Sequence, residues 1–199
     1  MKEICKKILS RYLDKGHTPK RVLELGSGLF STVFIKKKLK NVGGYLVSLE
    51  DDINWYNKTK LLDDQYGHVV MSNVILDGIL KYDYELSGIY DIVLIDGPGK
   101  KPLVEFGTYL KKSSHFGARN GIQSIDMLEY IWPYINKQSI VIVDNRISAV
   151  YYYLSKFDIK IKSFGHRAVS RSFLKRLRRK KESVSNFVAH ECSVMKKLV

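Results

Sequence analysis

Short apolar segments that end at a polar residue alternate with segments of helical periodicity between residues 2 and 157. In the helical segments, apolar positions recur every three or four residues, which is typical of helices covered on one face. The predicted strands span residues 21–25, 45–49, 68–74, 91–95 and 139–143. The predicted helices span residues 2–14, 31–40, 53–65, 122–135 and 147–157. This order predicts right-handed crossovers and an α/β fold whose mostly parallel sheet is covered on both faces.

The end of the chain departs from this alternation. Two further strands are predicted at residues 158–164 and 186–194, with no helix of normal length between them. Such strands can pair antiparallel at one edge of the sheet. Because no internal repeat and no Gly/Ser-rich linker is present, we expect one domain over residues 1–199, with a basic insertion at about 167–183.

Composition narrows the class of protein without identifying it. Hydrophobic residues make up 45% of the 199, a globular value, and no apolar run reaches the ~18 residues that a transmembrane segment needs. The charged amino terminus, MKEICKKILSRYL, lacks the apolar core of a signal peptide. Cys5 and Cys192 could pair, but in a chain without an export signal we expect a cytoplasmic protein in which both are free thiols. The net charge of +14 is compatible with nucleic acid, anionic glycans, phosphorylated metabolites or membrane surfaces as partners.

Polar residues follow four of the predicted parallel strands at the point where each ends. The first runs into Glu24 and a Gly-Ser-Gly turn, the second ends at Glu50, and the fourth and fifth end at Asp96 and at Asp144-Asn145. In an open parallel sheet, ligands bind beyond the carboxyl ends of the strands. Buried carboxylates are costly without partners, so their gathering at one edge predicts a shared ligand site.

The glycine turn after the first strand has two interpretations. Gly26 and Gly28 let the backbone turn tightly and approach a ligand, and Glu50 stands where an acid would bond the hydroxyls of a ribose. A dinucleotide site would need glycine or alanine at position 31, which is serine. A plain strand-to-helix turn without a ligand is the alternative.

The segments VLELGSG, VSLEDDINWY, YDIVLIDGPG and SIVIVDN, in this order within residues 20–155, resemble class I S-adenosylmethionine-dependent methyltransferases. The run from Glu50 to Tyr56 is similar to the version found in small-molecule or glycan O-methyltransferases. This resemblance implies a Rossmann-like, doubly wound fold with a mostly parallel seven-stranded sheet and an antiparallel edge strand. It also implies a cofactor site in which the glycine turn lies against S-adenosylmethionine. The cofactor residues that it implies are Glu24, Gly26, Ser27, Gly28, Glu50 and Asp51.

The reacting centre is expected near Asp96, which could contact the methionine ammonium of the cofactor or the acceptor, or could help to bind a divalent cation. Metal-dependent catechol-type O-methyltransferases resemble the chain in having an acid after the fourth strand and an Asp-Asn pair after the fifth, which implies Mg²⁺ bound by Asp96, Asp144 and Asn145. Oxygen ligands of this kind suit Mg²⁺. Those enzymes have a lysine where this chain has Gly99, and Asp144-Asn145 could instead cap the next helix. Without a metal, Asp96, Lys100 or His115 would act as the base.

Residues 97–121 have almost no periodicity and carry one acid among several basic side chains. A loop of this length in a compact domain is usually a lid or a binding loop. We expect Tyr109 and Arg119, together with Arg146, to bind the acceptor. An anionic small molecule or glycan would suit these cations.

The segment RSFLKRLRRKK at residues 171–181 lies in a stretch without acids. It predicts contact with phosphates or with an anionic membrane surface, or simply a solvated face. An RNA methyltransferase that holds its substrate through residues 167–181 is therefore an alternative to the O-methyltransferase. A third possibility is a module that keeps the fold and binds the cofactor without catalysis.

Overall fold

The structure is a computed structural model that describes residues 3–15, 18–113, 121–164 and 192–198. The helices are α1 Glu3–Leu13, α2 Ser31–Val42, α3 Ile53–Thr59, α4 Lys101–Glu105, α5 Gly107–Ser113, α6 Met127–Ile131 and α7 Ile147–Lys156. The strands are β1 Arg21–Leu25, β2 Tyr45–Glu50, β3 Gly67–Met71, β4 Val74–Asp77, β5 Ile79–Tyr82, β6 Ile92–Ile95, β7 Ile140–Asp144, β8 Ile159–Phe164 and β9 Cys192–Lys197.

Seven of these strands form one sheet in the order β3-β2-β1-β6-β7-β9-β8. Neighbouring strands are parallel from β3 to β7, and β9 runs antiparallel to both β7 and β8. The mostly parallel, doubly wound sheet predicted from the sequence is confirmed. The antiparallel strand β9 is the second strand from the edge of the sheet, because β8 pairs with its outer side.

Strands β1, β2, β6, β7 and β9 each contribute to two cores, since successive side chains point to opposite faces of a sheet. One core lies between the sheet and helices α1 and α2 and includes Leu9, Val22 and Ile35. The core on the other face includes Leu23 and Tyr153. Both faces are therefore covered, as parallel strands with crossover helices require.

Some local predictions were wrong. The hairpin of β4 and β5 was not predicted, and it turns at Gly78, whose φ of +69° suits glycine. The helix predicted over 122–135 is broken into α6 and flanking 3₁₀ turns, with Pro133 near the start of the second turn. The segment after β6 is not one long loop, because α4 and α5 form within it. Proline at the first turn of α4 is compatible with a helix start.

The prediction of free cysteines is also wrong. Cys5 in α1 and Cys192 at the start of β9 form a disulfide, with Cα atoms 5.6 Å apart and a separation of 187 positions in the sequence. Packing of α1 against the sheet brings them together, and this tertiary contact has no local sequence signal. Disulfides persist mainly in oxidising compartments, so the cytoplasmic location stays a prediction.

Within the described residues, no helix is long and apolar enough to cross a membrane. The basic insertion at about 167–183, with its predicted phosphate or membrane contacts, lies outside the described residues.

Candidate functional site

A cleft of about 270 Å³ opens at the carboxyl end of the parallel strands. Its walls come from the turn after β1, the start of α2, the ends of β2 and β6, and the residues before α7. The lining residues are Gly26, Ser27, Gly28, Leu29, Phe30, Ser31, Glu50, Trp55, Asp96, Gly97, Gly99 and Arg146. The cleft thus brings together residues that are far apart in the sequence.

Strand alternation sorts the acidic residues between the two faces of the sheet. A residue that lies two or four positions after a strand residue of the core under α1 and α2 points to the same face of the sheet as that core residue. The residues at such positions are Glu24, Ser48, Glu50, Asp96 and Asp144. They therefore gather on the side of the sheet where the glycine turn leads into α2. This explains why they interact although they come from four strands.

The floor of the cleft is formed where two glycine-containing loops touch. Gly26 has a φ of +88°, and a Cβ atom on it would lie 2.6 Å from both Cα and N of Gly97. A Cβ on Gly28 would lie 2.8 Å from the Ser31 hydroxyl oxygen. Any side chain at position 26 would push the turns after β1 and β6 apart, so this close approach requires glycine.

Glu24 lies behind the glycine turn and does not line the cleft. Its Oε2 accepts hydrogen bonds from the hydroxyls of Thr32 and Ser48, both at 2.7 Å. The Thr32 hydroxyl in turn accepts the backbone N–H of Gly28 at 3.1 Å. Glu24 therefore holds the turn through Thr32 and is a positioning residue.

The carboxyl of Glu24 is fully buried, with 0% of its surface exposed. Burial raises its pKa to about 7, while the hydroxyls of Ser31, Ser48 and Thr32 oppose the shift. The Ser31 hydroxyl lies close enough to Glu24 to lower its pKa, but the two do not form a hydrogen bond of good geometry. Among the described residues, neither the Ser31 hydroxyl nor Glu24 Oε1 has a hydrogen-bond partner. A carboxyl this poorly paired is destabilising when ionised.

Glu50 ends β2 and is held from two sides. Its Oε2 accepts the Ser27 hydroxyl at 2.7 Å, and its Oε1 accepts the backbone N–H groups of Asp51 and Asp52 at 3.1 and 2.9 Å. Burial raises its pKa, and these hydrogen bonds limit the rise. The Ser27 hydroxyl also bonds Thr59 in α3 at 2.9 Å, so Glu50 has a fixed position in the cleft wall.

Asp51 lies one residue further on and therefore points to the opposite face of the sheet. Its Oδ1 accepts the backbone N–H of Gly99 at 2.9 Å and the hydroxyl of Tyr82 at 3.4 Å. Burial raises the pKa of Asp51. It was predicted to bind the cofactor, but it does not line the cleft. Instead it ties the loop after β6 to the end of β2.

Asp96 is the acid that stands in the cleft with its side chain partly open to solvent, at 29% exposure. Its Oδ1 lies 3.8 Å from Nη2 of Arg146. Burial and the nearby carboxyl of Asp144 raise the pKa of Asp96 to about 6, and the Arg146 guanidinium opposes this. Asp96 can therefore gain and lose a proton close to neutral pH.

The contacts around Asp96 and Asp144 do not assemble a good metal site. The Arg146 cation lies beside Asp96, and Asp144 Oδ1 lies 3.3 Å from Cys5 Sγ, which carries no hydrogen in the disulfide. Among the described residues, no three His, Cys, Asp or Glu side chains are placed to bind one ion. One feature does suit a cation: Asn145 Oδ1 is buried without a hydrogen-bond partner in this part of the chain.

The other predicted residues are not gathered at the cleft. Lys100 is exposed at the start of α4 and is not part of the lining. The Tyr109 hydroxyl donates to Asp126 Oδ2 at 2.6 Å, and the same oxygen accepts the backbone N–H of Leu80 at 2.8 Å. Tyr109 thus ties α5 to β5. His115 and Arg119 lie outside the described residues.

Sequence reasoning did not single out two groups of residues in and around the cleft. Thr32 and Ser48 hold Glu24, and Ser48 could have been found because it shares a strand face with Glu50. The second group is the apolar wall, in which Leu29, Phe30 and Trp55 are exposed. Exposed apolar residues at the start of a helix give no pattern in the sequence that distinguishes them from buried ones.

No protein-family model and no curated protein matches the chain. Among solved structures, it is similar to the O-methyltransferase TomG from Streptomyces achromogenes, involved in tomaymycin synthesis and solved in complex with SAM. The TM-score is 0.50 and the identity 14%, over 99% of this chain and 81% of that chain.

Two other solved methyltransferases are similar to the chain. For precorrin-6y C5,15-methyltransferase from Geobacter metallireducens GS-15, the TM-score is 0.51 and the identity 10%, over 99% of this chain and 90% of that chain. For the plantazolicin methyltransferase BpumL, solved with a pentazolic desmethylPZN analog and SAH, the TM-score is 0.53 and the identity 15%, over 98% of this chain and 83% of that chain. Together with the strand order, these likenesses show that the chain has the Rossmann-like fold of class I S-adenosylmethionine-dependent methyltransferases.

Proposed function

We propose that the chain transfers a methyl group from S-adenosylmethionine (SAM) to a hydroxyl of a small molecule or glycan. The observation that carries the proposal is the position of Asp96, an acid with a pKa of about 6, in the same cleft as the glycine turn and Glu50. Proton acceptance beside a cofactor cleft is what hydroxyl methylation requires.

The residues at the cleft fit SAM as cofactor. The contact of Gly26 with Gly97 keeps the floor free of side chains, so a ligand can approach the backbone. Glu50 presents a fixed carboxylate that can accept hydrogen bonds from ribose hydroxyls. Bound SAM would supply an electrophilic methyl group on a sulfonium, and in-line attack by a hydroxyl oxygen would transfer that methyl as the carbon–sulfur bond breaks.

Asp96 would take the proton that the acceptor hydroxyl loses. Its pKa of about 6 leaves it ionised at neutral pH while keeping it basic enough to accept a proton. Arg146 would hold the Asp96 carboxylate in place and face an anionic group of the acceptor. The chain's DGPG turn differs from the NPPY-type turn of enzymes that methylate amino groups of nucleic acids, which favours oxygen as the target.

The apolar wall indicates the kind of acceptor. Phe30 is 81% exposed and Trp55 is 45% exposed, and both line the cleft with Leu29. An exposed apolar patch beside a cleft is typical of a ligand-binding groove. An acceptor that combines an apolar body with an anionic group and a hydroxyl would fit this wall and Arg146 together.

Replacing Ser27 by alanine should weaken SAM binding about fivefold, because Glu50 would lose the hydroxyl that fixes its Oε2. The measurement is a calorimetric titration of SAM into each variant. Ser10→Ala is the matched control, since the Ser10 hydroxyl also donates to a carboxylate, that of Asp14 just after α1, and this bond is exposed. Equal affinity in Ser27→Ala and Ser10→Ala would argue against Glu50 as a ribose ligand.

Methyl transfer should not depend on a divalent metal, because Arg146 already provides the positive charge beside Asp96. We expect the rate to stay within about twofold when EDTA is added or when MgCl₂ is supplied, a change too small to represent the loss of a Lewis acid. Loss of activity with EDTA that Mg²⁺ restores would instead support the predicted site of Asp96, Asp144 and Asn145.

The function itself is tested by turnover against a panel of acceptors. The full chain is incubated with SAM and hydroxyl compounds that differ in apolar area and charge, and S-adenosylhomocysteine is quantified. We expect the highest rates with apolar, anionic hydroxyl acceptors and little product with their amino analogues. Turnover of RNA in preference to every small hydroxyl compound would contradict the proposal, as would binding of SAM without turnover of any acceptor.

A further inference from the structure

A second cavity lies at the opposite end of the sheet from the candidate active site. It has a volume of about 300 Å³ and is lined where β1, β6 and β7 begin and β9 ends. Ligand sites of open α/β sheets lie beyond the carboxyl ends of the strands, so this cavity is not part of the cofactor cleft. The cavity and the cofactor cleft lie at opposite ends of β6 and β7, which are roughly 15 Å long.

The lining of this cavity contains many side chains that can donate hydrogen bonds. Lys15, Lys20 and Lys196 line the cavity together with the polar residues Thr18 and Gln138. None of the three ammonium groups forms an ion pair within the part of the chain that the structure describes. Three cationic side chains around one cavity create a positive potential that attracts anions.

The one acid in the lining, Asp91, offsets only part of the charge of these lysines. Asp91 Oδ2 accepts the backbone N–H of Arg21 at 2.8 Å, which fixes the carboxylate at the start of β1. Lys20 donates to the Thr18 hydroxyl at 2.7 Å rather than to a carboxylate. Three lysines against one aspartate leave an excess of two positive charges in the lining.

We propose that this cavity binds a small anion bearing one or two phosphate groups. A phosphate group carries close to two negative charges at neutral pH and several acceptor oxygens, so it would match both the charge excess and the donors. The size of the cavity suits a compact anion rather than a polymer. Its position at the far end of the sheet makes the site independent of methyl transfer and of the acceptor.

The test is a titration of the full chain with inorganic phosphate and with pyrophosphate, at constant ionic strength set with KCl. We expect saturable binding, tighter for pyrophosphate. The dissociation constant for pyrophosphate should rise about tenfold or more in the double variant Lys20→Ala/Lys196→Ala, which loses two of the three cations. Lys7→Ala/Lys37→Ala is the matched control, because it removes the same charge from exposed positions on α1 and α2 and should bind like the wild type.

Two further results would overturn the proposal. One is a wild-type chain that shows no saturable binding of either anion beyond the effect of KCl. The other is loss of pyrophosphate binding in Arg146→Ala with retention in Lys20→Ala/Lys196→Ala, which would place the anion in the cofactor cleft. Thermal unfolding without ligand checks that each variant is folded, so a loss of binding is not a loss of structure.

Discussion

Replacing Asp96 by asparagine should lower the rate of methyl transfer by about 100-fold or more, with little change in SAM affinity. Asparagine keeps the size and most hydrogen bonds of aspartate but cannot accept the hydroxyl proton, and a general base contributes rate factors of this order. The measurement is kcat with the best acceptor of the panel. Asp83→Asn, at an exposed position outside the cleft, is the control with the same chemical change.

The pH dependence of the rate separates a base from a residue that only shapes the site. The carboxylate form of Asp96 is the active one, so kcat/KM of the wild type should fall about tenfold per pH unit below its pKa of about 6 and level off above it. Asp96→Asn should lack this limb. If the variant kept both the limb and the rate, another group would be the base.

Arg146 provides an independent check on the same carboxyl. Its guanidinium opposes the rise in the pKa of Asp96, so Arg146→Gln should move the acidic limb of the wild-type profile to higher pH. A limb that stays in place would mean that the titrating group is not the one beside Arg146.

Glu24→Gln should make the protein more stable at pH 8 by about 3 kcal/mol, although it removes a charged hydrogen-bond acceptor. The pKa of Glu24 is about 7 in the folded chain and 4.5 in the unfolded chain. Each pKa unit corresponds to about 1.4 kcal/mol, so this difference penalises folding by about that amount when the carboxyl is fully ionised.

The direction in which stability changes with pH follows from the number of protons that the folded and unfolded states bind. Below pH 4.5 the carboxyl is protonated in both states and has no effect on stability. Between pH 4.5 and about 7 the folded state holds the proton that the unfolded state has lost, so stability falls as pH rises. The glutamine variant does not titrate. Its amide oxygen can still accept Thr32 and Ser48, and its NH₂ can donate to the Ser31 hydroxyl, which now lacks a partner.

Urea unfolding of the SAM-free chain at pH 4.5 and pH 8 measures this effect. We expect Glu24→Gln and wild type to have similar free energies of unfolding at the lower pH and to separate at the higher. Glu85→Gln removes the same charge at an exposed position and should not separate from wild type. A Glu24→Gln variant that is destabilised equally at both pH values would show that the ionised carboxyl is not a source of instability.

Hydrophobic periodicity was sufficient to predict the sheet because parallel strands buried on both faces are continuous apolar runs. β1, β2, β6 and β7 were all found within one residue of their observed limits. The pairing of β4 with β5 was missed because these strands have only four residues each and are partly exposed, so neither periodicity nor apolar content marks them. The 122–135 helix was predicted from spacing that 3₁₀ turns satisfy as well.

The candidate site was predictable where it depends on strand ends and not where it depends on tertiary contacts. Glu50, Asp96 and Arg146 line the cleft, and these positions follow from topology. The different directions of Glu50 and Asp51 could also have been predicted, since adjacent strand residues face opposite ways. The pairing of Asp96 with Arg146 could not, because it joins two elements separated by 50 residues with no shared pattern.

The central claim is that the glycine contact at the cleft floor creates a SAM site, and titration of SAM into two glycine variants tests it most directly. Gly26 and Gly78 both have positive φ, so alanine is strained at either, but a Cβ at position 78 meets nothing within 4 Å. We predict saturable binding to the wild type and to Gly78→Ala, and binding weaker by about tenfold or more in Gly26→Ala, where the added Cβ must displace Gly97. A wild-type chain that does not bind SAM at millimolar concentration, or a Gly26→Ala variant that binds it as the wild type does, would contradict the account.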